Sequence, residues 1–449
     1  MSYGEAAVPF LGSWLAYRAA QLDLNFCVTV RSGSKTIFSR AYGFTDQAKQ
    51  TPLTTSHLFQ VASQTKMLTA VAVLQLAQRR KLRLDDPAYA HLPWLKDHRD
   101  PRFRKITLRH LLSHTAGLMR DIPESDYLLF NAGWPSREEL RRNVLACNLT
   151  VNPGQYVKYS NTAFALLGQV IEAASGERYG TYIQRAILDP LRLSGIVPDY
   201  DAALGKRIPT GYGVLDMQKR PSFPKRQSTR AMMPAMGTYA TTEAMCDLAA
   251  ALFAGNKQLL NDSSKRRMQH AQSTVSAGYD RGISFGFGTE LQVVGKRRLA
   301  GHGGHMAGHV SATFYDPRAE LAVSVAGNSK DTPSVQIVRG IFGAMDYFGA
   351  PGKSAETGDM HFNVRLRNAI STIQIVQTGT NIMAIDPDDW EPFAWGENLE
   401  IVDNRTLRVA DRHSLYNGGE VFTYELKDGA AQAVRFAGLT LWPDANQTQ

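Results

Sequence analysis

Ser63-Gln64-Thr65-Lys66-Met67-Leu68-Thr69-Ala70-Val71-Ala72-Val73-Leu74-Gln75-Leu76-Ala77-Gln78 is the stretch from which the rest of the chain can be placed. Beyond Lys66 it is apolar on nearly every side and it stops at Arg79-Arg80-Lys81, cations suited to a helix C-terminus. A helix with no polar face must be surrounded, so it predicts a central helix with other elements packed around it. Its first turn is the exception. Ser63 and Lys66, spaced i and i+3, share one helical face, which brings the lysine amine within hydrogen-bond reach of the serine hydroxyl.

On the N-terminal side, residues about 5 to 22 carry Phe10, Leu11, Trp14, Leu15 and Tyr17 at helical spacing. The period then changes at Phe26-Cys27-Val28-Thr29-Val30 and Thr36-Ile37-Phe38-Ser39, which reads as a β-hairpin. On the C-terminal side, Leu82 to Arg230 is helical with Pro- and Gly-punctuated loops. Strand-like runs resume at Ser284–Val294, His309–Pro317 and Leu321–Asn328, and an amphipathic helix near Val335–Tyr347 closes this body. The sheet is thus drawn from both ends of the body with a helical insertion between, an α+β arrangement. After Gly349-Ala350-Pro351-Gly352-Lys353 come short alternating runs parted by Gly, Asp and Asn turns, an antiparallel β-meander of roughly ninety residues that forms a small barrel or sandwich. The expected domains are 1–350 and 355–449.

Charge agrees with two differently built parts. The 449 residues hold 50 Lys and Arg against 41 Asp and Glu, a formal +9, yet from Ala355 onward 7 cations face 14 carboxylates, leaving +16 on the body and −7 on the tail. The basic runs Arg79–Arg83 and Arg102–Arg109 lack aromatic interleaving and any nucleic-acid motif, so a solvated face accounts for them. No Gly-x-Gly-x-x-Gly follows a strand and no phosphate-binding loop is found, so no cofactor is expected. His110 and His114 stand i, i+4 as in zinc helices, but Leu111 holds the place of the general base and carboxylate or thiolate companions are missing. Cys27, Cys147 and Cys246 are too few and too scattered for a disulfide framework, and the start of the chain shows no leader pattern. No eighteen-residue apolar run occurs. A cytoplasmic protein with no membrane or nucleic-acid partner is the expectation.

Three constellations carry chemistry. A lysine desolvated beside Ser63 loses basicity and can activate the hydroxyl, while the helix N-terminus favours an oxyanion. Alone, Ser-x-x-Lys occurs by chance in many helices and reads rather as a capping serine with a surface lysine. Tyr159-Ser160-Asn161 follows Pro153-Gly154 and precedes the apolar run Phe164–Ile171. Near a cationic lysine its tyrosine would have a depressed pKa and shuttle protons, and its asparagine could hold the lysine and a carbonyl. Alone it is a loop tyrosine over a helix cap. Gly301-His302-Gly303-Gly304-His305 lies between two strand-like runs; its glycines would let a substrate backbone approach and its His305 N–H could serve an oxyanion, although alone it reads as a glycine-rich bend.

Their order along the chain resembles the serine β-lactamase and penicillin-binding-protein superfamily, class C type, for which Ser-x-x-Lys is a signature. Ile106–Leu118 (ITLRHLLSHTAGL), Pro153-Gly154 and Tyr315-Asp316-Pro317 are in the same style, and the resemblance spans roughly residues 5 to 350. His302-Gly303-Gly304 departs from the Lys-Thr-Gly of dedicated β-lactamases and is similar to the His-x-Gly of the D-aminopeptidase and D-amino-acid amidase branch; a mostly neutral histidine is a poor clamp for a substrate carboxylate. The tail resembles the lipocalin-like barrels that follow such catalytic domains. The resemblance implies a β-lactamase-like domain, an antiparallel sheet flanked by helices plus an all-helical part, then a small antiparallel barrel. It implies a serine hydrolase working through an acyl-enzyme on a small-molecule or short-peptide substrate, a D-stereospecific aminopeptidase or amidase. Catalysis would fall to Ser63, Lys66 and Tyr159, with Tyr159 as deacylation base, and substrate binding to Asn161, His302, Gly304 and His305. The acidic loop Asp386-Pro387-Asp388-Asp389 would be placed to hold a free amino group, and relatives of this kind suggest a homo-oligomer. A carboxylesterase, or a penicillin-recognising or peptide-binding module with little turnover, are the alternatives.

Overall fold

The computed structural model describes residues 5–122, 133–216, 219–223, 226–278, 281–306, 308–349, 362, 364–415, 417–427 and 430–444. They form two compact units, one from Asp23 to Val338 and one that joins Met1–Leu22 to Arg339–Gln449. The division therefore falls inside the helix expected to close the body, and the N-terminal helix belongs with the tail.

The larger unit has an eight-stranded antiparallel sheet. Its strands are β1 (Phe26–Ser32), β2 (Lys35–Tyr42), β3 (Ser273–Thr274), β4 (Ser284–Phe285), β5 (Glu290–Val294), β6 (Arg297–Met306), β7 (His309–Asp316) and β8 (Leu321–Gly327). Their spatial order is β2-β1-β8-β7-β6-β5-β4-β3. The hairpin β1-β2 pairs with β8, the last strand of this sheet in chain order, Phe26 lying opposite both Tyr42 and Gly327, so the sheet is drawn from both ends of the unit. In β7 and β8 every residue is buried, as expected where both faces of a sheet are covered.

The inserted part is helical and is built on the stretch quoted first. A 3-10 turn (Ala62–Gln64) leads into the helix Thr65–Gln78, whose residues from Thr65 to Leu76 are all buried. The helix Asn161–Ser175 packs beside it, capped by the Ser160 hydroxyl on the Ala163 N–H and stopped by Gly176 in the left-handed conformation. The short helix Met233–Met236 lies against both.

In the smaller unit, eight strands from Val364–Arg367 to Leu439–Pro443 form a closed barrel, Leu366 of the first pairing with Pro443 of the last. Of the two architectures expected for the tail the barrel is realised. Leu366, Ile375, Leu407, Phe422, Val434 and Leu441 fill its interior, with the Phe422 and Phe436 rings stacked at 3.8 Å. The N-terminal helix Val8–Gln21 is tied to the acidic turn: Trp14 Nε1 donates to Pro387 O at 3.1 Å, Tyr17 Oη to Asp388 at 2.7 Å, and Arg18 pairs with the same carboxylate at 3.4 Å. Asp388 thus serves as a tether within this unit.

Candidate active site

The segment that presents Ser63 is held in a conformation the sequence does not favour. Ala62, immediately before it, has φ +48°, a left-handed backbone costly to a residue with a Cβ and kept only where the surroundings impose it. The surroundings are explicit. Val61 N–H donates to Thr238 O at 2.9 Å, Thr65 Oγ1 donates to Ala62 O at 2.6 Å, and Thr238 N–H returns to Thr65 Oγ1 at 3.1 Å. Gln64, buried, donates to Ser311 Oγ on β7 at 2.7 Å.

Gly301 to His305 is no bend. It lies within β6, ten residues long, with His302 opposite Thr313 and Gly304 opposite Ser311. The glycines are there for close approach. A Cβ on Gly304 would stand 2.0 Å from Val61 O, and one on Gly301 would stand 2.0 Å from Thr313 O. The lack of a side chain at Gly304 thus lets the strand lie directly on the backbone that carries the serine.

Lys66 is fully buried, and its Nζ reaches three oxygens: Ser63 Oγ at 3.0 Å, Asn161 Oδ1 at 2.7 Å and Ala235 O at 2.9 Å. Burial holds the amine well below the ordinary lysine range; Asp121 opposes that shift and Arg120 adds to it. A neutral amine has two N–H donors and one lone pair. Asn161 Oδ1 and Ala235 O can only accept, so they take the two donors and the lone pair is left facing Ser63 Oγ. That is the geometry of a general base.

Tyr159 completes the contact around the nucleophile, its hydroxyl donating to Ser63 Oγ at 2.8 Å. Burial pushes this phenol well above its usual range, so the depressed pKa expected for a tyrosine beside a lysine is not found: desolvation exceeds every neighbouring charge. Tyr159 is accordingly a hydroxyl near neutral pH, suited to giving a proton, and Lys66 is the neighbour placed to accept one.

His114 was not singled out for the role it takes. It has φ +58°, is buried, and stacks on the Tyr159 ring at 4.3 Å. Its carbonyl accepts from Lys158 N–H at 2.7 Å and its Nδ1 accepts from Ser160 N–H at 3.1 Å, so one residue grips the backbone on both sides of the tyrosine. His110, four residues earlier, instead completes a capping box with Thr107. The repeated histidine in ITLRHLLSHTAGL is the signal the sequence carries for this pair. Asp121 was missed too; it stands three residues beyond the same motif and accepts from Asn161 Nδ2 at 2.8 Å.

Of the remaining expected residues, His302 is buried with its ring 6.1 Å from that of Tyr159. Its Nδ1 lies 2.5 Å from Gly303 O, which makes Nδ1 the donor and leaves Nε2 an acceptor. Burial and the nearby Lys66 push the ring down to about 3, so it is a neutral imidazole. His305 is exposed, and its pKa is lowered by partial burial and then by Lys330 and Arg120. Ser63, Lys66, Tyr159 and Asn161 are thus joined by direct hydrogen bonds; His302 and Gly304 flank them, and His305 stands at the rim.

Comparison with known proteins bears on the family and the fold. The family described as Beta-lactamase matches residues 24–341. "Protein flp" of Staphylococcus aureus (strain COL) is 28% identical over 167 residues, 37% of this chain and 33% of that protein. The alignment spans about a third of that curated relative. Among solved structures, the octameric penicillin-binding protein homologue from Pyrococcus abyssi superposes with a TM-score of 0.65 at 18% identity, over 96% of this chain and 99% of that one. The D-amino acid amidase from Ochrobactrum anthropi SV3 gives 0.62 at 21% identity, over 75% and 95%. At these identities the two structures are similar in fold.

Proposed function

The chain belongs to the beta-lactamase family, and on that premise we propose that it is a cofactor-free serine hydrolase that cleaves amide bonds of small peptides or amino-acid amides, with preference for a D-residue on the acyl side. The observation that carries the reading is the position of Ser63 Oγ, 3.0 Å from Lys66 Nζ and 2.8 Å from Tyr159 Oη. One neighbour can take its proton and the other can supply one.

In this reading the Ser63 proton passes to Lys66 as Oγ bonds to the substrate carbonyl carbon. The carbonyl oxygen becomes an oxyanion facing the Ser63 and His305 backbone N–H groups. When the tetrahedral intermediate collapses, the carbon–nitrogen bond breaks, the leaving nitrogen takes the Tyr159 hydroxyl proton, and the Lys66 ammonium restores it. Water then attacks the acyl-enzyme, giving a proton to Lys66; the bond from the acyl carbon to Ser63 Oγ breaks, Lys66 passes that proton to Oγ, and the acid product departs with Ser63 and the neutral amine regenerated. Asn161 orients Lys66 and the substrate amide, and His302 lines the far wall as a neutral group.

The D-preference is supported by the shared fold with the D-amino acid amidase, and amide over ester by the hydroxyl placed where a leaving nitrogen needs its proton. A homo-oligomer fits the octameric Pyrococcus abyssi homologue. A cytoplasmic location fits three free cysteines, two of them buried. Among the described residues no helix is long and apolar enough to cross a membrane.

The test is a panel of D- and L-aminoacyl p-nitroanilides and matched p-nitrophenyl esters under multiple-turnover conditions. Turnover of D-aminoacyl amides supports the reading. Ester cleavage alone would make the protein a carboxylesterase, and one slow acylation without release would make it a binding module.

A further inference from the structure

Asn161 is a link between two charged groups. Its Oδ1 accepts from Lys66 at 2.7 Å while its Nδ2 donates to Asp121 Oδ1 at 2.8 Å. The two ends of a carboxamide have nearly the same shape, and from the lysine side an amine with a lone pair could meet either. A carboxylate can only accept, so Asp121 demands the NH2 end and thereby turns the oxygen to Lys66. The Asp121 side chain is only 11% exposed, so its charge is poorly screened, and its second oxygen lies 3.5 Å from the exposed Arg120 guanidinium.

We propose that Asp121 is a positioning residue for Lys66, fixing the Asn161 amide and supplying the negative charge that balances the ammonium formed whenever Lys66 takes a proton. The proposal rests on the reading of Lys66 as the base. Ser63, Lys66, Asn161 and Asp121 then form one hydrogen-bonded line of nucleophile, base, amide and carboxylate, the base oriented by a third group as in other activated nucleophiles.

Among the described residues, the other groups around Lys66 do not supply that charge. Ala235 offers a carbonyl, and Tyr159 offers a neutral hydroxyl and a ring face 4.9 Å from Nζ. His114 and His302 are buried and held neutral, and Arg120 opposes a cation. Among the described residues, Asp121 is the group whose field favours the ammonium. Without it the buried amine would be a weaker base, able to lose its proton at lower pH but slower to accept one from serine.

The experiment reads Lys66 directly. Lysine labelled with 13C at Cε is titrated by NMR in the full chain and in Asp121→Asn and Asp121→Glu, with Lys66→Arg identifying the signal. Asn keeps the shape and an acceptor oxygen but removes the charge. The expected result is a Lys66 midpoint lower by about one pH unit or more in Asp121→Asn and restored in Asp121→Glu. In parallel, kcat on an active substrate should fall about tenfold or more with KM little changed, and the acid limb of the rate should move to lower pH with the NMR midpoint. A midpoint and acid limb that stay in place in Asp121→Asn would overturn the proposal, leaving Asp121 a structural loop residue. Because the NMR titration needs no turnover, a shifted midpoint in a protein that cleaves no substrate would support the proposal while refuting the hydrolase reading.

Discussion

Tyr159 donates a 2.8 Å hydrogen bond to Ser63 while its own pKa is raised by burial, so the tyrosine meets the nucleophile as an acid. An amide needs that proton on its leaving nitrogen, whereas a p-nitrophenolate leaves without one. Tyr159→Phe should therefore lower kcat on an amide by about a hundredfold or more, within the range of a lost general acid, and lower kcat on the matched activated ester much less. Equal losses on both substrates would place Tyr159 in a different role.

The acylation rate should rise with pH as Lys66 loses its proton. Burial depresses the Lys66 pKa, so the neutral, active form persists to lower pH than for an ordinary lysine, and the rate should reach its plateau well below pH 10.5. Single-turnover acylation measured between pH 5 and about 10 checks this. A limb at the ordinary lysine position would mean that Lys66 stays charged and is no base.

Gly304 is a steric requirement. In Gly304→Ala the new methyl would sit 2.0 Å from Val61 O, one residue before the left-handed Ala62, so β6 must move away from the nucleophile. A shift near 1 Å costs about a hundredfold in rate, and overpacking costs about 1–3 kcal/mol in stability. Steady-state kinetics and thermal denaturation should report both losses together.

The fold was legible where period and polarity act locally. The stretch Ser63–Gln78 had to be a buried helix, and alternating runs after Lys353 had to be strands. What escaped was fixed by contacts between distant segments. Gly301–His305 looks like a bend because glycine favours turns; it is a strand because Val61 and Thr313 lie too close to tolerate a side chain. Ser63, Lys66, Tyr159 and Asn161 could be named from their types and order, and the structure joins them in one chain of hydrogen bonds running from Asn161 through Lys66 and Ser63 to Tyr159. His114 and Asp121 could not, because each acts on a residue about forty positions away along the chain. The expected low pKa of Tyr159 failed for a related reason: a neighbouring lysine can be read from sequence, but the depth of burial cannot.

His114 should matter through Tyr159. His114→Ala removes the ring stacked at 4.3 Å and the acceptor for Ser160 N–H, and leaves a Cβ residue at φ +58°. His114→Asn keeps a polar side chain and suits the left-handed backbone better. The expected order of both kcat and thermal midpoint is wild type, then Asn, then Ala, with the Ala variant destabilised by about 2 kcal/mol or more. Activity unaffected in His114→Ala would separate this residue from the site.

The central claim is that Ser63 forms an acyl-enzyme. Rapid-quench intact-mass measurement during turnover of a D-aminoacyl ester, followed by peptide mapping, tests it most directly. The expected result is a transient mass increase equal to the acyl group, located on Ser63, absent in a folded Ser63→Ala protein that no longer turns over substrate. Wild-type turnover by Ser63→Ala, or an acyl group on another residue, would contradict it.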